Sequence, residues 1–411
     1  MTTVARTFDT GIARSRAVLA DPPAYWSYST LKELTDCPLR YCLAHASYPA
    51  LWSGLGYPPL PSPTSLFGNV VHGALEVVLR ALSDAGVASP RAEEAAQVLV
   101  GLGGLRTVID SEIARQVTRL ATNPRLSDER KRRIHRDLQE KTQDARAQVQ
   151  TYLSRTQFVP GSPDGEPVGH SPRPSTRRAR SPLADGSHAE AWLVADRLRL
   201  HGRVDLVTVD DERVEIVDFK TGAQSPSHAD QLRLYALLWS ADDRSNPRHT
   251  EVTRLTASYP SHDIDTEVPD AAELAGLSTM METEISVASR EAASSSPTAR
   301  PSAEACTGCG VRHLCPNYWA SVAPREVPSQ DGSWFDFEGV IGAENGLHSW
   351  WLHGSDGKRR LLLRATVAAR GFGIGDCVRL LGLRRESDPD VSHPIGSMSV
   401  GTEVFVLEAS N

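Results

Sequence analysis

The segment GRVDLVTVDDERVEIVDFKTG gathers side chains that can hold a hard cation. Asp205 lies on one apolar run, and Asp218 and Lys220 lie on the next, two residues apart. The two-residue period of a strand puts Asp218 and Lys220 on one face. Asp210-Asp211-Glu212 between the runs reads as a turn, so the runs pair as an antiparallel hairpin and Asp205 can lie beside the other two. Two carboxylates on neighbouring strands form an oxygen site suited to Mg²⁺ or Mn²⁺. Such an ion polarises a phosphoryl oxygen and acidifies water. A lysine beside it can orient that water or stabilise charge on a pentavalent phosphorus. An isolated Asp-x-Lys is also common on exposed hairpins. Here Glu215-Ile216-Val217 leads into Asp218, and Thr221-Gly222 closes the strand.

A second group is made of cysteines. CTGCGVRHLCP places Cys306, Cys309 and Cys315 within ten residues. A CxxC pair can hold one metal ion or one edge of a cluster. Three thiols leave a four-ligand site one short, and Cys37, Cys42 and Cys377 are the remaining candidates. Zinc and iron–sulfur both suit such a set.

These residues must be positioned by alternating helices and strands. A helix is expected near Ser29 in YSTLKELTDCP, with Thr30 and Glu33 as a capping box and a stop after Cys37 before Pro38. Cys42 falls on the next turn of an apolar helix and reads as a buried thiol. Residues 48–64 are rich in Pro and Gly and read as loop. FGNVVHGALEVVLRALSDAG has apolar residues at helical spacing, and 91–122 and 126–157 read as two more helices. Residues 159–188, rich in Pro, Ser and Arg, read as a mobile loop. Strand-like runs EAWLVAD, LRLHGRVDLVTVD and RVEIVDFKTG follow, then a helix in HADQLRLYALLWS, a strand at 251–260 and a helix at 269–292. Beyond residue 328, five short apolar runs punctuated by Asn345-Gly346 and Asp356-Gly357 turns fit a small barrel, with an OB-fold first choice. No internal repeat is visible.

Bulk composition narrows the classes. A chain of 411 residues suggests two domains, and 40% hydrophobic residues suffice for real cores. The net charge of -7 and pI near 6.0 mean that any nucleic-acid contact requires local basic surface. The N-terminal MTTVARTFDT has no run long enough for a signal peptide, and no stretch approaches the roughly 18 apolar residues of a membrane span, so the expected location is cytoplasmic. Six cysteines in such a chain suggest metal binding rather than a disulfide scaffold. No GxxxxGK[ST] phosphate loop is present, so the chain is not itself an ATP-driven motor.

The succession GRVDLV, EIVDFKTG and QLRLYALL resembles the RecB/AddB-type nuclease domains and the CRISPR-associated iron–sulfur nucleases, branches of the PD-(D/E)XK superfamily. The resemblance runs in separated motifs over roughly residues 28–320. It implies an α/β fold, a PD-(D/E)XK nuclease core with a mixed central sheet flanked by helices, over 28–322. A 1–27 extension precedes it and a barrel over 328–411 follows. It implies Asp205 and Asp218 as metal ligands, the Phe219 carbonyl as a further ligand and Lys220 as the catalytic lysine. Gln231 and Tyr235, one helical turn apart on one face, match a Gln and Tyr near the substrate backbone. Otherwise the helix is simply packed on the sheet, with Tyr235 in the core. His72 in GNVVHGALE, between Gly68 and Glu76, matches an additional metal ligand on an early helix, although a lone histidine is more often structural. Glu190 matches a weaker family glutamate with no assigned role.

The same branches bind a [4Fe–4S] cluster with one early and three late cysteines, which implies Cys37, Cys306, Cys309 and Cys315. Such a crosslink closes a loop of about 270 residues, worth on the order of 4–5 kcal/mol by loop entropy, and acts as a staple rather than a redox catalyst. Cys377 falls in the barrel and reads as core. The expected activity is hydrolysis of DNA phosphodiesters with Mg²⁺ or Mn²⁺, usually at DNA ends, in repair or defence. The partners implied are single-stranded or duplex DNA and a helicase or other repair protein. Two other classes stay open: a silent scaffold that binds nucleic acid, and a nuclease acting on RNA. In the barrel, Trp350, Trp351, Lys358, Arg359, Arg360 and Arg364 could stack and pair with a single strand, or the barrel could dock a protein. Arg173, Arg177, Arg178 and Arg180 could touch phosphates or simply solvate a linker.

Overall fold

The computed structural model describes residues 6–12, 15–159, 181–211, 213–324, 326–354, 357–365 and 371–408. Most of the arginine-rich stretch, with Arg173, Arg177, Arg178 and Arg180, lies outside the described residues.

The N-terminal strands β1 (Thr7–Phe8) and β2 (Ala17–Val18) pair with each other. Helices α1 (Tyr28–Asp36) and α2 (Pro38–His45) follow. The cap of α1 is Ser27 rather than Thr30, and Thr30 is instead its reciprocal partner, in place of Glu33. Cys37 is extended between the two helices, and Pro38 starts α2 as its first residue. A proline lacks the N–H that a first turn leaves unused, so the stop and the new start coincide.

Five helices form one layer: α3 (Pro63–Asp84), α4 (Glu93–Gly101), α5 (Gly104–Leu120), α6 (Asp128–Glu140) and α7 (Thr142–Arg155). Each of the two long helices expected at 91–122 and 126–157 is split in two. Gly103 and Gly104, both at positive φ, break the first. The second breaks at Lys141, with no Gly or Pro to mark it.

Strands β3 (Gly186–Ala195), β4 (Leu200–Asp210), β5 (Arg213–Phe219), β6 (Val252–Ser258) and β7 (Asp263–Thr266) make a mixed sheet in that order. β3 begins inside the stretch expected to be loop. β4 and β5 form the expected antiparallel hairpin, whereas β5 and β6 are parallel, joined through α8 (Ser227–Ala241). β7 is a four-residue edge of alternating polar residues, which carries no strand signal. One face of the sheet buries a core with α1, α2, α8 and α9 (Ala271–Ala292), including Leu34, Leu43, Trp239 and Ile285. The other buries Leu206 and Phe219 against the five-helix layer. Among the described residues α3 alone is long and apolar enough to cross a membrane, and 61% of its window is buried inside this layer.

The chain then passes through α10 (Ala303–Thr307), a 3₁₀ turn (Arg312–Leu314) and α11 (Pro316–Ser321). Six strands end it: β8 (Trp334–Glu344), β9 (Ser349–Gly354), β10 (Arg360–Ala365), β11 (Cys377–Glu386), β12 (Ile395–Met398) and β13 (Glu403–Val406). β8 pairs with β9, β9 with β10, β10 in parallel with β12, β12 with β11 and β11 with β8, which closes a five-stranded barrel. β13 pairs with β11 outside that ring. The closing strand, Ile-Gly-Ser-Met, is too short and too polar to read as one from sequence. The Asn345-Gly346 turn forms as expected, with Gly346 at φ +88°.

Candidate active site

Where β4 and β5 run toward α3, their backbone ladder ends at Leu206 opposite Val217. The Phe219 N–H, with no β4 carbonyl to bond, donates to Asp205 Oδ2 at 2.7 Å. The Asp205 carboxylate thus fills the gap between the parting strands. His72, on the sheet-facing side of α3, brings Nδ1 to 3.6 Å from the same oxygen. Gly68, one turn earlier, makes this approach possible, because a Cβ there would lie 2.8 Å from Thr221 Oγ1.

Register on either side places Glu190 of β3 opposite Asp205, and its backbone twists to φ +56°. Non-glycine residues seldom adopt that conformation, which is found where surrounding structure holds a side chain in place. Ligand atoms of His72, Glu190 and Asp205 all lie within 4.8 Å of one another. Arg203, two residues before Asp205, pairs with Glu190 at 2.6 Å and Glu76 at 2.9 Å.

Asp218 is 3% exposed and pairs with the Lys220 ammonium. Its Oδ2 accepts no further hydrogen bond among the described residues. Lys220 Nζ donates to Gln231 Oε1 at 2.8 Å. Gln231 Nε2 donates to Tyr235 Oη at 2.6 Å, and Tyr235 donates to the Arg203 carbonyl at 3.0 Å. Tyr152 fixes the other side by donating to the Lys220 carbonyl at 2.9 Å. Gln231 and Tyr235 therefore hold the lysine. Tyr235 is buried, so it is also the core residue of a packed helix.

The electrostatics follow from this crowding. Burial, and then the Asp205 charge, push Asp218 up to about 7 and Glu190 up to about 8. Burial also opposes charge on Asp205, but His72, the Phe219 N–H and Lys220 outweigh it and hold that carboxyl below its ordinary value. Burial would lower His72, yet Asp205 raises it to about 8. Even with Arg203 and Lys220 beside them, burial and mutual repulsion keep Asp218 and Glu190 from ionising at their ordinary values. A divalent cation would favour their ionised forms, and an imidazole-plus-carboxylate donor set suits such an ion.

Residues 25–316 match the family model described as the PD-(D/E)XK nuclease superfamily. The chain belongs to this superfamily. Its members hydrolyse phosphodiester bonds with divalent metals, and the clustered acids lie inside the matched region. No curated protein matches the chain significantly. Among solved structures, the tetrameric p202 HIN2 is 12% identical over 20% of this chain and 44% of that one, with a TM-score of 0.17. A murine DNA-binding protein solved with double-stranded DNA is 9% identical over 51% of this chain and 88% of that one, with a TM-score of 0.19. TM-scores this low bear on neither fold nor function.

Sequence reading named neither Arg203 nor Tyr152, which lies far from the motif in the chain. For Arg203 the available signal was its place on the same β4 face as Asp205. Glu76 was visible four residues after His72 but had no assigned partner.

The cysteines form a separate site. Cys37, Cys306, Cys309 and Cys315 line one pocket between α2 and the segment after α9. The Arg300 N–H donates to Cys37 Sγ at 3.4 Å. Burial pushes the Cys309 thiol up to about 11 and raises Cys315. Such thiols ionise only beside strong positive charge, and an all-thiol donor set fits a thiolate-bound metal or cluster. Cys42 is buried as expected, and Cys377 is half-buried at the start of β11.

Proposed function

We propose that this chain is a divalent-metal-dependent deoxyribonuclease of the RecB/AddB-like and iron–sulfur branch. The observation that carries this reading is the meeting of His72, Glu190 and Asp205 beside the Asp218–Lys220 pair. His72, Asp205 and Asp218, with Glu190 and the Phe219 carbonyl, are the groups that would hold Mg²⁺ or Mn²⁺. A bound ion supplies Lewis acidity toward a phosphoryl oxygen. Lys220, held by Gln231 and Asp218, orients the attacking water and balances charge on the phosphoryl oxygens. Hydrolysis at DNA ends, in repair or defence, is the setting proposed.

We assign Cys37, Cys306, Cys309 and Cys315 to a structural [4Fe–4S] cluster. Their common pocket joins the first helical pair to the segment that leads into the barrel. Strand order in the barrel, with β10 and β12 parallel, supports an OB-like module.

Nuclease assays on labelled DNA and RNA, under anaerobic conditions with Mg²⁺ or Mn²⁺, test the reading. Removing one charge-stabilising group typically lowers turnover by about 10²–10³-fold, and Lys220→Ala and Asp218→Ala should each do so. Equal inactivity of wild type and variants would favour a binding scaffold, and cleavage of RNA alone would reassign the substrate. Freshly purified protein should be brown, with a broad band at about 400 nm. A colourless protein with stoichiometric zinc would reject the cluster.

A further inference from the structure

The barrel carries two adjacent tryptophans, both half-buried, on opposite faces of β9. Trp350 turns inward, packing against the barrel core and edge-on to Phe372 at 5.3 Å. Leu352 is also inward and fully buried, so alternation turns Trp351 to the outer face of β9. There it sits opposite the buried Leu362 of β10, half-buried. The Arg360 guanidinium lies 4.0 Å from the centre of its ring. His393 meets it edge-on at 5.2 Å.

His393 belongs to the loop 387–394 between β11 and β12, and that loop is fastened to β10. The Leu362 N–H donates to the Pro394 carbonyl at 2.9 Å, and Arg364 pairs with Asp388 at 2.6 Å. The indole therefore has a fixed floor, a wall and a cation on one face. His353, opposite Arg360 in register, extends the stripe along the same face of β9.

We propose that Trp351, Arg360 and His393 form a stacking site for a base of single-stranded DNA, separate from the acid cluster. Three features select this occupant. An indole under a guanidinium already makes the contact that a base and its phosphate would share. Residues 349–365 carry Lys358, Arg359, Arg360 and Arg364 against one acid, Asp356, although the whole chain is acidic. In the loop that carries His393, Asp388 is neutralised by Arg364. Arg359 packs over Phe337 instead, which leaves Arg360 as the guanidinium that faces the ring. On binding, a base stacks on Trp351 and Arg360 moves to the adjoining phosphate. The proposal rests on the nuclease reading only for its choice of nucleic acid as the partner.

The test is fluorescence anisotropy of a labelled oligothymidylate with the full chain in EDTA, where no hydrolysis occurs. Loss of one stacked base typically weakens binding by roughly 5- to 150-fold. Trp351→Ala should fall in that range, and Trp351→Phe, which keeps an aromatic face, should stay within about threefold of wild type. Arg360→Ala should weaken binding and flatten its dependence on salt by about 0.7 in the log–log slope. Circular dichroism confirms that each variant is folded. Undiminished binding by Trp351→Ala, or no binding by wild type, overturns the proposal and leaves this face to a protein partner. Tight binding by a chain that never cleaves would sink the nuclease reading alone. Cleavage of single strands at wild-type rates by a Trp351→Ala chain of unchanged affinity would sink this site alone.

Discussion

Three neighbouring carboxylates in the acid cluster answer the same burial in two opposite ways. Asp205 keeps its charge because His72, a backbone N–H and Lys220 all face it, whereas Asp218 and Glu190 are pushed toward the neutral form by burial and by Asp205 itself. The consequence can be worked out in sign. Unfolded carboxylates titrate at about 4, and folded Asp218 and Glu190 titrate at about 7 and about 8. Between those values the folded chain binds more protons than the unfolded one, so these groups make stability fall as pH rises. His72, raised to about 8, adds to the same trend, because its contribution is complete below its unfolded value and is lost above the folded one. A divalent ion binds the ionised acids and should cancel this loss. Thermal melts of wild type and Glu190→Gln in EDTA, from acid to mildly alkaline pH, should show a shallower decline in the variant. Excess Mn²⁺ should flatten the wild-type curve. Equal slopes with and without Mn²⁺ would show that these acids do not share an ion.

At the scale of elements, the site depends on how closely α8 lies on β4. Gly202 is the contact. A Cβ there would sit 2.8 Å from Leu238 Cδ1 and 2.9 Å from the Tyr235 ring. Leu238 can turn aside, but Tyr235 is tied by its hydroxyl to the Arg203 carbonyl and to Gln231, and through Gln231 to Lys220. Gly202→Ala should therefore cost about 1–3 kcal/mol of stability by overpacking. It should also lower turnover at temperatures where the variant is fully folded, because the lysine loses its alignment. Urea melts and single-turnover cleavage measured on the same sample separate the two effects. A variant that is destabilised but fully active would mean that the lysine is positioned without α8.

Across the whole molecule, the barrel is fastened to the nuclease region by buried charge. Arg125, between α5 and α6, makes two 2.8 Å bonds to Glu403 of β13 and also donates to the carbonyls of Pro58 and Gly310. Arg312, between two of the pocket cysteines, pairs with Asp336 of β8 at 2.7 Å. Arg379 of β11 donates to the His313 carbonyl at 2.7 Å. The His313 ring is fully buried, stacked on Phe405 at 4.0 Å. Barrel, cysteine segment and helical layer thus meet at one junction. Removing one partner of a buried pair leaves an uncompensated charge and costs about 3–5 kcal/mol. Glu403→Ala should lower the unfolding midpoint accordingly and speed loss of the absorbance assigned to the cluster. Arg125→Met combined with Glu403→Leu should recover much of the stability. An unchanged midpoint in Glu403→Ala would mean that the barrel is held mainly by its apolar contacts.

The sequence by itself determined the elements that carry strong local signals. The β4–β5 hairpin has apolar runs and an acidic turn, the CxxC segment has its spacing, and α3 and α8 have helical periodicity. It also marked Asp205, Asp218, Lys220 and His72, because a motif joins residue types whose chemistry is legible without coordinates. Tertiary structure decided what depends on distance between remote segments. It drew Glu190 into the cluster by twisting β3 and made Arg203 its partner. It turned Gln231 and Tyr235 toward the lysine, and chose Trp351 rather than Trp350 for the barrel surface. It also closed the barrel with a strand, β12, whose four residues have no apolar pattern. Periodicity reports which face of an element is buried. The partner across a gap is fixed only when separate elements pack, and burial then sets which carboxylates keep their charge.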